Sequence, residues 1–237
     1  PTGRPFARST FSGHYGVFRP ADASHERHAA SNPVEPRPVL SYPRSMGQLL
    51  DHIDDRLREF INAQHIFFVA TAPNGAAGHV NISPKGHADT FAILGPTTVA
   101  YLDLTGSGAE TVAHLRQNGR ITIMFCAFEG RPDVLRLHGH GRIVMPGVAE
   151  FATLAGQFTR RSGARAVVVV EVERVSTSCG FAVPLYEYLG DRDILEKSNA
   201  RKSPDELATY HRTRNATSID GLPALPGTGL ATPDPLR

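Results

Sequence analysis

A glycine-containing turn between a predicted strand and a predicted helix could bind an anion. Its polar and glycine residues are Asp103, Thr105, Gly106, Ser107, Glu110 and Thr111. Unpaired backbone N–H groups and the positive dipole end at a helix start attract phosphate, and neighbouring hydroxyl groups add donors. An ordinary capped helix explains the turn equally well, because Ser107 and Glu110 have the spacing of a capping box. Glu110 also opposes an anion unless its carboxylate turns back to cap Ser107.

A second polar segment runs from residue 79 to residue 86. Strand alternation places Asn81, Ser83 and Lys85 on one face, with Pro84 on the other. If the polar face points inward, these side chains need a polar ligand, because burying them without partners costs free energy. If it points to water, they need none, and alternation does not decide between the two.

A third segment, from residue 136 to residue 142, alternates cationic side chains with small or apolar ones. Arg136, His138, His140 and Arg142 share one strand face. Two histidines at this spacing can bind a metal ion, but no third ligand is evident and the flanking arginines repel a cation. We expect a solvated or ligand-facing stripe here and no metal site.

The hydrophobic pattern predicts a mainly β scaffold with helices. Six short apolar and β-branched runs predict strands at 66–71, 79–83, 98–104, 121–128, 134–144 and 165–175. Helical periodicity begins at Leu50, and further helices are predicted near 107–117, 148–158, 192–201 and 204–214. Residues 166–170 are continuously apolar, which is typical of a strand buried on both faces. Because crossover helices between successive strands are missing, we expect a six-stranded antiparallel barrel.

Composition divides the 237 residues into three parts. Residues 1–45 contain seven prolines and no sustained hydrophobic period, so we expect a disordered N-terminal extension. Residues 46–222 form the predicted folded domain. Residues 223–237 are rich in proline and glycine and are expected to be a flexible tail.

Composition also argues against several function classes. The net charge is +2 without a cationic stripe, so we do not expect nucleic-acid binding. No apolar run reaches the ~18 residues of a membrane span and no signal-peptide core is visible, so we expect a cytoplasmic protein. Two cysteines, Cys126 and Cys179, are typical of reduced thiols rather than of a disulfide framework.

Seven motifs along the chain form a specific combination. They are QHIFFVATAP (64–73), GHVNISPKG (78–86), DLTGSG (103–108), HLRQNGRI (114–121), FCAFEG (125–130), SCGFAVP (178–184) and SIDGLP (218–223). Together they resemble a subgroup of the pyridoxamine 5′-phosphate oxidase-like superfamily, from about Met46 to Leu225. Members of this subgroup begin near the position of Met46, which supports the interpretation of 1–45 as an extension.

The resemblance implies an FMN-binding split barrel that forms a homodimer, with its two flavin sites at the subunit interface. Lys85 matches the lysine that holds the FMN phosphate in the true oxidase, and Arg136 matches the arginine of a strand motif that reaches the flavin. Glu110 and Thr111 stand where the oxidase has an arginine–lysine pair. The C-terminal motif that grips pyridoxal phosphate has no counterpart after Cys179, which argues against pyridoxamine phosphate as the substrate.

The predicted function is therefore an FMN-dependent oxidoreductase with an unidentified small-molecule substrate. Two alternatives stay open: a reductase that uses the deazaflavin F420, and a non-catalytic flavin- or haem-binding protein on the same fold. The predicted cofactor-binding residues are Asn81, Ser83, Pro84, Lys85, Asp103, Thr105, Gly106, Ser107, Glu110, Thr111 and Arg136. No catalytic residue is predicted.

Overall fold

The alternating apolar runs form strands in the computed structural model, which describes residues 47–159 and 163–225. The predicted extension 1–45, and residues 226–237 of the predicted tail, lie outside the described residues. The elements in chain order are β1 (Leu49–Leu50), α1 (Asp55–Asn62), β2 (Ile66–Thr71), β3 (Asn81–Gly86), a short 3-10 helix (Ala88–Thr90), β4 (Phe91–Ile93), β5 (Thr98–Leu104), α2 (Glu110–Asn118), β6 (Arg120–Cys126), β7 (Asp133–Val144), α3 (Ala149–Ala155), β8 (Ala164–Cys179), α4 (Ile194–Ala200) and α5 (Pro204–Arg214).

The strands of the described residues form one antiparallel sheet. Their order is β3-β2-β6-β7-β8-β5-β4, and β1 pairs with β8. The predicted fold class, mainly β and antiparallel with helices, is confirmed, but the sheet has eight strands instead of six. The additional strands β1 and β4 contain two and three residues. They were missed because such short segments have no measurable hydrophobic period.

Strand β8 lies at the centre of the core. It pairs with β7 along its length and with β5 over its first half. Residues 166–170 are buried, as their continuous apolar run predicted. Val168 and Val170 belong to the main core cluster, whereas Val167 and Val169 belong to a second cluster with Phe158. The strand is therefore covered on both faces.

The first helix begins later than predicted. Leu50 belongs to β1 and pairs with Val175 of β8, so the chain is extended there. Helix α1 starts at Asp55, where the Asp54 carboxylate accepts a hydrogen bond from the Leu57 N–H at 2.8 Å. This contact is an ordinary N-cap.

Helix α2 also begins later than predicted, and its predicted capping box is wrong. Ala109 is the N-cap and its carbonyl accepts the first helical hydrogen bond, from Ala113 at 3.0 Å. The Ser107 carbonyl instead accepts a hydrogen bond from the Asn215 side chain, so it is not the first helical acceptor. The predicted stop at Gly119 is confirmed, since its φ of 69° is left-handed.

The chain after α5 packs back onto α2. Ala224 and Leu225 are buried in a small cluster with Ala109 and Val112. Thr217 forms a β-bridge with Pro223 just before them. The packed domain therefore extends past the predicted boundary at residue 222, to at least Leu225.

Two findings concern the described residues as a whole. None of their helices is long and apolar enough to cross a membrane. Cys126 is buried and Cys179 exposed, and both thiols are free.

Candidate functional site

The polar side chains of edge strand β3 point to the face of the sheet that covers the core. Asn81, Ser83 and Lys85 are half-buried, whereas Pro84 is exposed. Lys85 pairs with Phe67 of β2, whose ring belongs to the main core, so both side chains face the core side. Of the two alternatives left by the sequence, the inward one is therefore correct. Pro84 is tolerated because an edge strand needs no N–H on its free side.

Lys85 ends at the buried carboxylate of Asp103. Its Nζ lies 3.2 Å from Oδ1, while Oδ2 accepts a hydrogen bond from Nε of Arg165 at 2.7 Å and lies 2.7 Å from Nη2 of the same guanidinium. Burial raises the pKa of Asp103, but the charges and hydrogen bonds of Lys85 and Arg165 outweigh it and hold the pKa below its ordinary value. Two cations around one anion leave an excess of one positive charge at this end of β3.

The turn between β5 and α2 is fixed by side chains far along the chain. Four of them, from β8, α4 and α5 with its C-cap, hydrogen bond to the turn: Arg165, Asn199, His211 and Asn215. The Thr105 hydroxyl donates to the Gly163 carbonyl at 2.8 Å and lies 2.8 Å from Nε2 of His211. Its donor is therefore not available to a ligand.

Glu110 covers the same turn. Its Oε2 lies against Gly108, since a Cβ added to Gly108 would be only 2.6 Å from this oxygen. No described residue donates a hydrogen bond or forms an ion pair with this carboxylate. A negative charge in this position repels phosphate, so the turn itself is a poor anion site.

At the start of β3, Asn81 connects this strand to α2 through hydrogen bonds. Its Nδ2 donates to the hydroxyl oxygens of Thr111 at 3.1 Å and of Thr71 at 3.3 Å. Its Oδ1 accepts a hydrogen bond from Ser83 at 3.2 Å. The predicted residues Asn81, Ser83 and Thr111 therefore form one network.

The network ends at a buried histidine that was not among the predicted site residues. His114 is fully buried, and its Nδ1 lies 3.0 Å from the Thr71 hydroxyl. Its Nε2 has no hydrogen-bond partner among the described residues. Burial lowers the pKa of His114, against the opposing influence of the Asp220 and Glu110 carboxylates.

Arg136 lies on the opposite face of the sheet. Arg136 pairs with Met124 of β6, and Met124 pairs with Phe68 of β2, so these three side chains share one face. Phe68 is next to Phe67, which faces the core beside Lys85, and neighbouring residues of a strand point to opposite faces. Nη1 of Arg136 donates to the Ser178 hydroxyl at 3.0 Å. A single chain therefore does not bring Arg136 and Lys85 together.

Two of the three remaining residues of the predicted β7 stripe, His140 and Arg142, are exposed to solvent. His138 is half-buried, and its Nδ1 lies 3.1 Å from the Thr122 hydroxyl. His140 pairs with Glu173 at 2.8 Å and Arg142 donates to Glu150 at 2.9 Å, and all four side chains are exposed. The described residues contain no group of three or more side chains placed to hold a metal ion.

A pocket of about 540 Å³ opens between the start of β3, the turn before α2 and the segment after α5. Its lining residues are His79, Val80, Asn81, Ile82, Ser107, Gly108, Glu110 and Ile219. Asn81, Ser107 and Glu110 were predicted site residues, whereas His79, Val80, Ile82, Gly108 and Ile219 were missed. All five missed residues lie in motifs that carry the resemblance, but only the folded chain brings those motifs together.

Comparison with known proteins agrees with the resemblance. The family model of pyridoxamine 5′-phosphate oxidase matches residues 53–179, more than half of the chain. The chain belongs to this family. Among its relatives is the pyridoxamine 5′-phosphate oxidase family protein ustO of Aspergillus flavus, which is 39% identical over 191 residues, covering 74% of this chain and 76% of the relative.

Solved structures also match part of the chain. HupZ of Group A Streptococcus is 27% identical with a TM-score of 0.41, over 52% of this chain and 91% of HupZ. An FMN-binding protein from Syntrophomonas wolfei is 17% identical with a TM-score of 0.38, over 50% and 80% of the two chains. HutZ, the heme storage protein from Vibrio cholerae, is 16% identical with a TM-score of 0.38, over 54% and 96%.

Proposed function

We propose that the chain is an FMN-dependent oxidoreductase that holds the FMN phosphate at the Lys85 end of β3. The observation that carries this proposal is the excess positive charge of Lys85 and Arg165 around the single carboxylate of Asp103. An excess charge in a buried cluster is costly unless a counter-ion neutralises it. A phosphate supplies both the negative charge and the acceptor oxygens.

Lys85 has hydrogen-bond donors left for a phosphate. The Lys85 ammonium has three N–H donors, of which the bond to Asp103 uses one, and the side chain is 22% exposed. At the turn before α2, by contrast, the Thr105 hydroxyl is engaged and Glu110 covers the backbone. Since Glu110 and Thr111 replace the oxidase's arginine–lysine pair, Lys85 carries a larger share of the neutralisation.

The bound flavin would supply the hydride chemistry, and the chain would supply position and electrostatics. Lys85 would hold the phosphate, and Ser83, whose hydroxyl proton is donated to Asn81, would offer its oxygen to the cofactor as an acceptor from the same strand face. Arg165 would keep the Asp103 carboxylate ionised, so that Lys85 stays aligned above it.

We further propose a homodimer in which Arg136 of one subunit reaches the β3 edge of the other. Within one chain Arg136 and Lys85 lie on opposite sheet faces, so they can share a site only across an interface. Several large apolar side chains are exposed near β3 and after β8: Val80, Ile82, Phe181, Leu185 and Leu189. Apolar exposure of this kind favours burial against a second subunit.

Mass spectrometry of the cofactor released from protein purified from a native host tests the cofactor directly. FMN is the expected result. Finding F420 would favour the deazaflavin reductase, and finding haem would favour a binding protein. Reduction of the bound flavin by a nicotinamide, and its reoxidation by a substrate, would separate an oxidoreductase from a non-catalytic flavin protein.

Titration of FMN against a Lys85→Ala variant tests the position of the phosphate. A charge-assisted hydrogen bond contributes ~1.5–3 kcal/mol, so FMN affinity should fall roughly ten- to hundredfold. Riboflavin, which lacks the phosphate, should bind both proteins equally. Lys197→Ala is the matched control, because Lys197 also pairs with an aspartate, Asp193, on the exposed surface of α4. Equal FMN affinity for wild type and Lys85→Ala would contradict the proposal.

A further inference from the structure

A histidine–aspartate pair lies at the rim of the pocket and has no part in the proposed FMN-phosphate contacts. Nδ1 of His79 is 2.6 Å from Oδ1 of Asp220, a residue 141 positions further along the chain. An ionised carboxylate only accepts hydrogen bonds, so Nδ1 carries the proton and donates it. Nε2 is then the free ring nitrogen of a residue that lines the pocket.

The carboxylate of the pair is held in place by its surroundings. Oδ2 of Asp220 accepts a second hydrogen bond, from the backbone N–H of His79 at 2.9 Å. The Asp220 N–H donates to the hydroxyl of Ser218, which is buried and also accepts from the Leu222 N–H. Gly78 lets the segment before His79 lie close to Pro73, because a Cβ on residue 78 would be 2.1 Å from the Pro73 ring.

Other histidine–carboxylate pairs in the described residues lack this construction. In the pairs His52–Asp51 and His140–Glu173, the carboxylate side chains are 93% and 63% exposed. In the pair His87–Asp191 the carboxylate is 39% exposed and the ring is only 13% exposed, so that ring is not accessible. The Asp220 side chain is only 16% exposed, while the His79 ring is 73% exposed. This combination of a fixed carboxylate and an accessible ring nitrogen is the arrangement of a general base with its orienting partner.

The pocket beside His79 indicates the ligand chemistry. Val80 and Ile219 line it with exposed apolar surface, and Glu110 adds a carboxylate that no described residue pairs. No lysine or arginine is among its lining residues. The pocket therefore favours a ligand with an apolar body and an O–H or N–H group, and disfavours a phosphate ester.

We propose that His79 is a catalytic acid–base residue for a ligand of this class, and that Asp220 is its positioning residue. Nε2 takes the proton of the ligand's O–H or N–H group, which leaves the ligand with the electron pair and His79 as an imidazolium. Asp220 stays a carboxylate and stabilises the imidazolium through Nδ1. The role of this proton transfer in substrate oxidation rests on the proposed function, whereas the transfer itself requires no flavin.

A chromophoric weak acid tests the transfer directly. Para-nitrophenol has an aromatic body and one O–H group, and its ionised form has a distinct absorbance. Added to the full chain below the pH at which it ionises in water, it should give a nitrophenolate signal that saturates with protein concentration. Glu110 and His114 are the other titratable groups near the pair, so the measurement is repeated with Glu110→Gln and His114→Gln.

The variants separate a catalytic from a structural role. His79→Gln should abolish the nitrophenolate signal while leaving the melting temperature within the range of the controls. Asp220→Asn should reduce the ionised fraction of bound probe about two- to fivefold, the effect of an ion pair whose histidine ring is largely exposed. His140→Gln is the matched control and should leave the signal unchanged.

Two outcomes would overturn the proposal: no saturable signal with the wild-type chain, or an undiminished signal in His79→Gln. Loss of the signal in Glu110→Gln or His114→Gln, but not in His79→Gln, would move the proton acceptor to that residue and also overturn it. Because the probe is read without flavin turnover, a failure here is distinct from a failure to bind FMN.

Discussion

At the scale of single residues, Asp103 is the most constrained group of the candidate site. Its side chain is 1% exposed and both oxygens bind cations, Oδ1 the Lys85 ammonium and Oδ2 the Arg165 guanidinium. Arg165 also donates to the Gly108 carbonyl at 2.9 Å, and its side chain is 4% exposed. The two cations therefore have different roles: Arg165 is a structural partner, and Lys85 is partly free for a ligand.

Matched methionine variants should separate these roles. Arg165→Met leaves the buried Asp103 carboxylate with Lys85 as its one remaining cation. The substitution should therefore lower the free energy of unfolding by about 3–5 kcal/mol. Lys85→Met should cost only about 1 kcal/mol, because the guanidinium still binds the carboxylate. Urea unfolding measures both losses. Equal losses would mean that Lys85 is as structural as Arg165.

The buried His114 should make stability depend on pH. Because burial lowers its folded pKa, the unfolded chain takes up the proton first as the pH falls. The stabilisation from neutral His114 is complete above the unfolded pKa of about 6.5 and is lost as the pH falls below it. Between pH ~7.5 and ~5.5, His114→Gln should therefore lose less stability than the wild type.

Thermal unfolding at the two pH values checks this prediction. His52→Gln is the control, because it removes an exposed histidine in place of the buried one. Parallel losses in wild type and His114→Gln would show that another group causes the dependence.

At the scale of elements, β7 and β8 form the longest strand pair of the sheet, and Gly139 determines how closely these two strands approach each other. β8 contains an extra residue there, because His138 pairs with Arg174 and Gly139 with Val172. This is a β-bulge, in which Glu173 has no partner residue on β7 in the strand register. A Cβ on Gly139 would lie 1.9 Å from the Glu171 carbonyl oxygen.

Gly139→Ala should therefore destabilise the fold by about 3 kcal/mol or more, since a backbone atom cannot move aside without separating β7 from β8. Gly86→Ala at the end of β3 is the control: a Cβ there meets nothing within 4 Å, and its effect should stay within about 0.5 kcal/mol. Denaturant midpoints give both values, and a mild effect of Gly139→Ala would mean that the bulge can relax.

Local patterns predicted these elements well where they were long. The bounds of β2, β5 and α5 agree with those predicted from the sequence. β1 and β4 were missed because pairing with β8 and β5 creates them, not their own composition. The start of α2 was misplaced because Asn215 and Arg165 hold the preceding carbonyls.

At the scale of the whole molecule, the proposed homodimer predicts a subunit complementation. If Arg136 serves the site of the other subunit, Lys85→Ala and Arg136→Ala homodimers should each bind FMN weakly at both sites. A mixed dimer of the two variants has one site with both substitutions and one with neither. Mixing should therefore restore wild-type affinity at about half of the sites formed in mixed dimers.

FMN titration of the mixed and unmixed variants measures this, with sedimentation equilibrium to establish the dimer. Restoration would require a site shared between subunits. A monomer with tightly bound flavin, or no restoration on mixing, would contradict the proposed arrangement.

The predicted N-terminal extension leads to a second prediction for the whole molecule. Residues 1–45 contain seven prolines and no sustained hydrophobic period. A chain that starts at Met46 should keep its melting temperature and its state of association. A large loss of either would show that residues 1–45 contribute to the fold.

The sequence by itself determined the family, the antiparallel β class and the sharing of one face by Asn81, Ser83 and Lys85. Motifs and strand alternation are local properties, set by neighbouring residues and by the geometry of an extended chain. Only the tertiary structure decided that this face points inward and that Arg136 lies opposite to it. It also decided that Asp103 meets Arg165, 62 positions away, and that His79 meets Asp220, 141 positions away. Such contacts depend on strand register and on the packing of distant segments, which no local pattern encodes.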